Sequence, residues 1–231
     1  MSFYIGFVTK DLVVLAVDNK FTYADGSSLL DNKLFQINHK LWGAHLGAKT
    51  FGEIIIYFLG RLKFSPFLVR RFPKLIGCKM KYAYRKYANK LLKENIILEG
   101  FTNIAIAGFD RKTPFICTWD SSKEFRPFIC RSGSIYNCLE DSKGDIGRYI
   151  KIVTSVVGAF QNRGITEQKE FLRGQIKKIM KHLSSEYDYI SASGDMVFIT
   201  REGSTAESFN EEERTKREDG YHPLRNTNSP G

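Results

Sequence analysis

Ser2 stands directly between the start methionine and an apolar run, Phe3–Val8. That placement has one chemical use. Once Met1 is removed, the serine carries a free α-amine beside its own hydroxyl, and one residue can then supply both base and nucleophile. An α-amine pKa of about 7.7–8.0 suits proton transfer at neutral pH. The alternative is an idle strand residue after a common Met-Ser start, and Ser2 alone does not decide between the two. Other reactive side chains offer less. Cys78, Cys117, Cys130 and Cys138 include no CxxC pair, and His39, His45, His182 and His222 complete no zinc pattern. The cysteines read as free thiols of a reducing compartment, and a Cys130 or Cys138 nucleophile lacks a histidine nearby in sequence. No metal and no cofactor is expected.

A reactive chain end must be held, because termini are poorly ordered unless something ties them down. Phe3–Val8 and Val13–Val17 predict two strands joined through Thr9-Lys10-Asp11. Tyr23–Ser28 is turn-rich, and Lys33–Asn38 with Lys40–Leu46 predicts a second strand pair around Asn38-His39. At Thr50 the period changes: Phe51, Ile54, Ile55, Phe58 and Leu62 share a helical face, with Thr50 and Glu53 at capping-box spacing. A second helical stretch runs from Ser65-Pro66 to about Asn95, broken near its start at Phe72-Pro73. Strands return at Asn103–Phe109, Phe115–Trp119 and, shorter, Phe125–Cys130. Helices over Asp145–Asn162 and Thr166–Leu183 and a strand over Asp195–Thr200 complete the order. Strands and helices that come in runs predict an α+β protein rather than a doubly wound parallel sheet. The fitting architecture is two mostly antiparallel sheets stacked face to face, with helices outside each. Residues 1–202 are expected to form one domain, and the polar residues 203–231 a disordered or loosely attached tail.

The chain has 231 residues, 42% hydrophobic and 26% charged, enough apolar side chains for a sizeable core. No apolar run approaches the roughly 18 residues that span a bilayer, and the start lacks the pattern of a secretory signal. A cytoplasmic protein with no transmembrane segment is expected. The net charge of +10 is uneven, with eleven Lys/Arg and no acidic residue between Arg61 and Lys93. Phe67, Phe72, Tyr82, Tyr84 and Tyr87 are interleaved among those cations. An exposed helix facing an acidic protein partner or a neighbouring subunit is the favoured reading of residues 61–93. Binding of nucleic acid or of an anionic membrane surface is an alternative, although no nucleic-acid-binding motif accompanies the stretch.

Ser2 through Asp18, with FVTKDLVVLAVD inside it, resembles the opening of proteasome β-type subunits and of the bacterial HslV peptidase, members of the N-terminal-nucleophile (Ntn) hydrolases. The segment DNKLFQINHKLWGAHLGAKTFGEIIIYFL resembles their lysine-bearing strand, hairpin, glycine and first helix. IAIAGFD resembles their central hairpin, CRSGSIY their GSG segment, and SASGDMVFI their closing SGG and strand. The likeness covers roughly residues 2–200 and implies a four-layer αββα sandwich, two mostly antiparallel sheets flanked by helices.

The resemblance implies a hydrolase that cleaves peptide or amide bonds, with Ser2 as nucleophile. Asp18 would pair with Lys33, whose charge would favour the neutral amine and steady developing negative charge. Gly47 would donate its amide to the oxyanion, and Ser132 and Ser193 would orient the terminal amine. The implied partners are a peptide or protein substrate and a homo-oligomeric ring. Family members also carry an aspartate three residues before the last serine; here that position is Ile190, with Asp188 two residues farther away. The alternatives are therefore a catalytically inactive structural subunit of the same fold, or a basic scaffold acting through residues 61–93.

Overall fold

A computed structural model describes residues 3–22, 28–47, 65–93, 102–138, 147, 150, 151, 154, 155 and 162–209. The first two strands, β1 (Phe3–Val8) and β2 (Val13–Asp18), are buried at every position. Their side chains alternate between two apolar clusters, as the period of two requires. Phe3, Ile5, Phe7, Val14 and Ala16 face one cluster, and Tyr4, Val8, Val13, Leu15 and Val17 face the other. Burial on both faces is why these strands read as continuous apolar runs rather than as polar–apolar alternation.

Ten further strands follow: β3 (Lys20–Thr22), β4 (Ser28–Leu30), β5 (Leu34–Asn38), β6 (Leu41–Gly47), β7 (Thr102–Asp110), β8 (Thr113–Asp120), β9 (Pro127–Cys130), β10 (Gly133–Cys138), β11 (Gly194–Ile199) and β12 (Ser204–Phe209). One five-stranded sheet has the order β10-β1-β2-β11-β12 and a second the order β5-β6-β7-β8-β9, while β3 and β4 pair by themselves. Neighbouring strands are antiparallel throughout. The described helices are α1 (Pro66–Arg71), α2 (Pro73–Lys93) and α3 (Ile165–Glu186). The described residues thus form a mixed α+β protein of mostly antiparallel sheets with few helices.

Three clusters hold these elements together. Leu172, Ile176, Ile179, Met180 and Leu183 of α3, at three- and four-residue steps, pack on the outer side of β1, β2 and β11. A second cluster joins Leu15, Val17 and Val197 of the first sheet to Ala44, Ala105, Ala107 and Ile116 of the second. In the third, Val69, Ile76 and Met80 of α1 and α2 meet Ile104, Ile106 and Trp119. The break between α1 and α2 falls at Phe72-Pro73 as predicted, and Ser65 caps α1 by accepting from the Leu68 amide at 3.3 Å. No described helix is long and apolar enough to cross a membrane.

Two sequence expectations need correction. The fold does not end at residue 202: β12 pairs with β11 along its whole length, and Phe209 is 2% exposed in the α3 cluster. Ser204–Phe209 resembles a tail in composition because an edge strand carries a polar outer face, and its stability comes from backbone pairing and one aromatic anchor. The second omission is β10, where Ser134 and Asn137 dilute the apolar signal. The helix expected over residues 51–62 and the tail from residue 210 lie outside the described residues, as does most of the stretch expected over residues 145–162.

Candidate active site

Asp18 closes β2 as a fully buried carboxylate. Such a charge survives away from water only if its oxygens are occupied by donors, and here they are. The Phe3 amide donates to Oδ1 at 2.8 Å and the Lys20 amide to Oδ2 at 2.9 Å, while Lys33 Nζ donates to both oxygens at 3.1 Å. Lys33 is 2% exposed; it also donates to the Lys20 carbonyl and stands over the Phe21 ring, 4.7 Å from its centroid. Burial pulls the Lys33 ammonium below the usual lysine value, and the neighbouring Asp18 charge opposes that pull. The sequence-predicted Asp18–Lys33 pair is therefore formed, and it grips the first described residue of β1. Ser2, the residue before Phe3, lies outside the described residues.

The β2–β11 ladder places Gly194 opposite Asp18. Ser193, 1% exposed, accepts from the Asn19 amide through its carbonyl at 3.3 Å, and its hydroxyl lies 2.7 Å from that of Ser191. Ser191 was not foreseen, although the repeated serine of SAS was visible. A Cβ on Gly194 would fall 2.4 Å from the Val17 carbonyl oxygen and 2.5 Å from Phe209 Cζ. Gly194→Ala is accordingly expected to push β11 off β2 and cost about 1–3 kcal/mol. An unchanged urea midpoint in that variant would contradict the tight β2–β11 contact.

Gly47 ends β6 with a φ of 97°, a left-handed conformation that strains any residue bearing a Cβ. Two residues earlier, the His45 amide donates to the Lys33 carbonyl at 3.0 Å, so β6 is tied directly to the lysine. His45 is 3% exposed, its Nε2 lies 3.1 Å from Thr102 Oγ1, and its ring sits beside Phe21. Burial, and then the Lys33 charge, push its pKa down to about 3, so the imidazole is neutral at neutral pH. Sequence reasoning did not assign His45 a place here. The pattern around Asn38-His39 does not give it, because His45 meets Lys33 only through the register shift between Gln36 and Asn38.

Ser132 is not brought to this cluster. In the β1–β10 ladder Val8 faces Gly133 and Phe3 faces Cys138. Ser132 therefore lies beyond the Val8 end of β1, roughly 20 Å along the strand from Phe3 at about 3.3 Å per residue. The position in β10 that faces Phe3 is Cys138, and the residues after it, 139–146, lie outside the described residues. Ile190 is 3% exposed within the α3 cluster, and Asp188 is exposed, its carbonyl accepting from Lys20 Nζ. No protein-family model matches the chain, and no curated protein matches its sequence.

The remaining candidates separate cleanly. Burial raises the Cys130 thiol above its ordinary pKa and disfavours the thiolate a nucleophile needs. Part of the basic stretch is neutralised within the fold: Arg70 pairs with Asp110 at 2.5 Å, and Lys81 and Arg85 pair with Glu124 at 3.1 and 3.7 Å. Arg71, Lys74, Lys79 and Lys86 are exposed.

Proposed function

We propose that the chain is an N-terminal-nucleophile hydrolase of the proteasome β-subunit/HslV type, cleaving peptide or amide bonds through Ser2 exposed by removal of Met1. The observation that carries this reading is the buried Asp18–Lys33 pair locked onto the Phe3 amide, which fixes a charge beside the start of β1. In the proposed reaction the Ser2 hydroxyl attacks the substrate carbonyl carbon while the Ser2 α-amine takes the hydroxyl proton. The amine passes that proton to the leaving nitrogen as the C–N bond breaks, leaving an acyl ester on Ser2. Water then attacks the ester, the amine again relaying the proton. Lys33 favours the neutral amine by its charge, Asp18 holds Lys33, Gly47 offers its amide to the oxyanion, and the Ser191–Ser193 pair orients the amine. Apolar clusters on the outer faces of both sheets and between them support the αββα sandwich that this reading requires. A cytoplasmic homo-oligomeric ring, with exposed Arg71, Lys74, Lys79 and Lys86 turned to an acidic partner, belongs to the same reading.

One observation favours a second reading, a catalytically inactive structural subunit: Ile190 sits in an apolar cluster where the family places an acid. The intact mass of the native chain separates the two. Loss of one methionine, with labelling by a small acylating serine-reactive probe that disappears in Ser2→Ala, is the expected result. Retained Met1, or equal labelling of Ser2→Ala, would refute the nucleophile.

A further inference from the structure

α1 and α2 pack on the second sheet through Val69, Ile76 and Met80, so the opposite side of both helices faces outward. Seven large apolar side chains are exposed among the described residues, and five of them belong to this segment: Phe67, Leu68, Phe72, Leu75 and Tyr82. Exposed Arg71, Lys74, Lys79 and Lys86 lie among them. Along α2, Leu75, Lys79, Tyr82 and Lys86 follow at steps of four, three and four residues, which makes one stripe of alternating apolar and cationic side chains. Arg70 pairs with Asp110 at 2.5 Å and so sets the β7–β8 turn beside α1, adding exposed Arg111 and Lys112 to the patch. Glu124, beside α2, is engaged by Lys81 and Arg85.

Charge alone does not make this patch. α3 also exposes Lys178, Lys181 and His182, yet its one large exposed apolar residue among those described is Ile165, in its first turn. The combination selects the occupant. Single-stranded nucleic acid is gripped by cations and by rings that stack on its bases, and Leu68 and Leu75 have no ring to offer. The cores of protein interfaces are depleted in lysine, whereas here lysines are spaced between the apolar residues. The headgroup layer of an anionic bilayer satisfies both kinds of residue at once. Phe and Leu side chains enter the acyl boundary, and the stems of Lys and Arg reach back to the phosphates. With that many cations on its exposed stripe, α2 lies on such a surface rather than crossing it.

We propose that α1, α2 and the β7–β8 turn form a docking surface for an anionic lipid bilayer. This gives the basic face of the proposed function its partner, rests on that part of the reading alone, and does not depend on Ser2. The test is flotation of the full chain with vesicles of phosphatidylserine and phosphatidylcholine, beside vesicles of phosphatidylcholine alone. Binding is expected to the mixed vesicles and to be tenfold or more weaker to the neutral ones. Lys74→Glu with Lys79→Glu weakens it tenfold or more, as reversal of two surface cations requires. Leu75→Ser with Tyr82→Ser weakens it fivefold or more, whereas Lys178→Glu with Lys181→Glu on α3 leaves it within twofold. All these side chains are exposed, so the fold does not depend on them. Equal binding to both vesicles, equal loss in the α3 variant, or no loss in the apolar variant overturns the assignment. So does absent flotation: polyuridylate bound by the same chain then assigns the face to nucleic acid, and a sedimentation coefficient that falls in the apolar variant assigns it to a neighbouring subunit. Flotation by a chain whose Ser2 never labels keeps the lipid surface and overturns the hydrolase reading.

Discussion

Replacing Lys33 by alanine is expected to destabilise the fold by about 3–5 kcal/mol, the usual cost of leaving one charge of a buried pair without its partner. The effect is large because Asp18 is fully buried and Lys33 supplies two of its four described hydrogen bonds, both at 3.1 Å. Probe labelling of Ser2 is expected to slow by about a hundredfold or more, in the range of a lost acid–base contribution. Stability and labelling separate in a double variant. Asp18→Leu with Lys33→Met removes both charges and is expected to be more stable than the sum of the single losses predicts. Recovery is partial, because the Phe3 and Lys20 amides lose their acceptor. Labelling does not return at all. Urea unfolding of the parent, the two single variants and the double variant measures this cycle. An unchanged midpoint in Lys33→Ala would remove the ion pair from any account of the site.

The second large effect is loss of stability in acid through His45. An unfolded histidine titrates near 6.5, whereas burial and then the Lys33 charge hold His45 at about 3 in the fold. Between those values the unfolded chain binds a proton that the folded chain does not. Stability therefore rises with pH across the window and is lost as pH falls from 6.5 toward 3. At about 1.36 kcal/mol per unit, a fall to pH 4.5 removes about 3 kcal/mol. His45→Gln cannot titrate and can still bond the Thr102 hydroxyl, so its stability difference between pH 7.5 and 4.5 is expected to shrink by about that amount. Identical differences in the two proteins would show that His45 is not held neutral.

The resemblance named Asp18, Lys33 and Gly47 as site residues, while local signals supplied only the strands that carry them. Apolar runs ending at Asp18 and turning at Asn38-His39 put Asp18 at a strand end and Lys33 before β5, because strand period and hairpin turns are short-range properties. Ser193 was found by resemblance, and its nearness to Asp18 depends on β11 lying against β2, a long-range pairing that no local pattern encodes. Ser132 lies apart from this cluster for a long-range reason. Ser132 rests on the resemblance of CRSGSIY to a GSG segment, whereas this segment opens β10 and runs back along β1 toward Phe3, a register no local pattern encodes. Composition likewise hid β12, whose contribution is backbone pairing rather than side-chain burial along its length.

The β2–β11 ladder also determines when the cluster can exist. Asp18 and Lys33 are synthesised well before Ser193 and Gly194, which join them only after most of the described fold has been made. Loop closure over that separation is slow compared with hairpin formation, and it comes late in an assembly dominated by non-local contacts. A nascent chain can thus form β1, β2 and the Lys33 hairpin without completing the cluster. Timing is built into the topology: the closing strand gives the group at the start of β1 its full setting only when the rest of the protein is present.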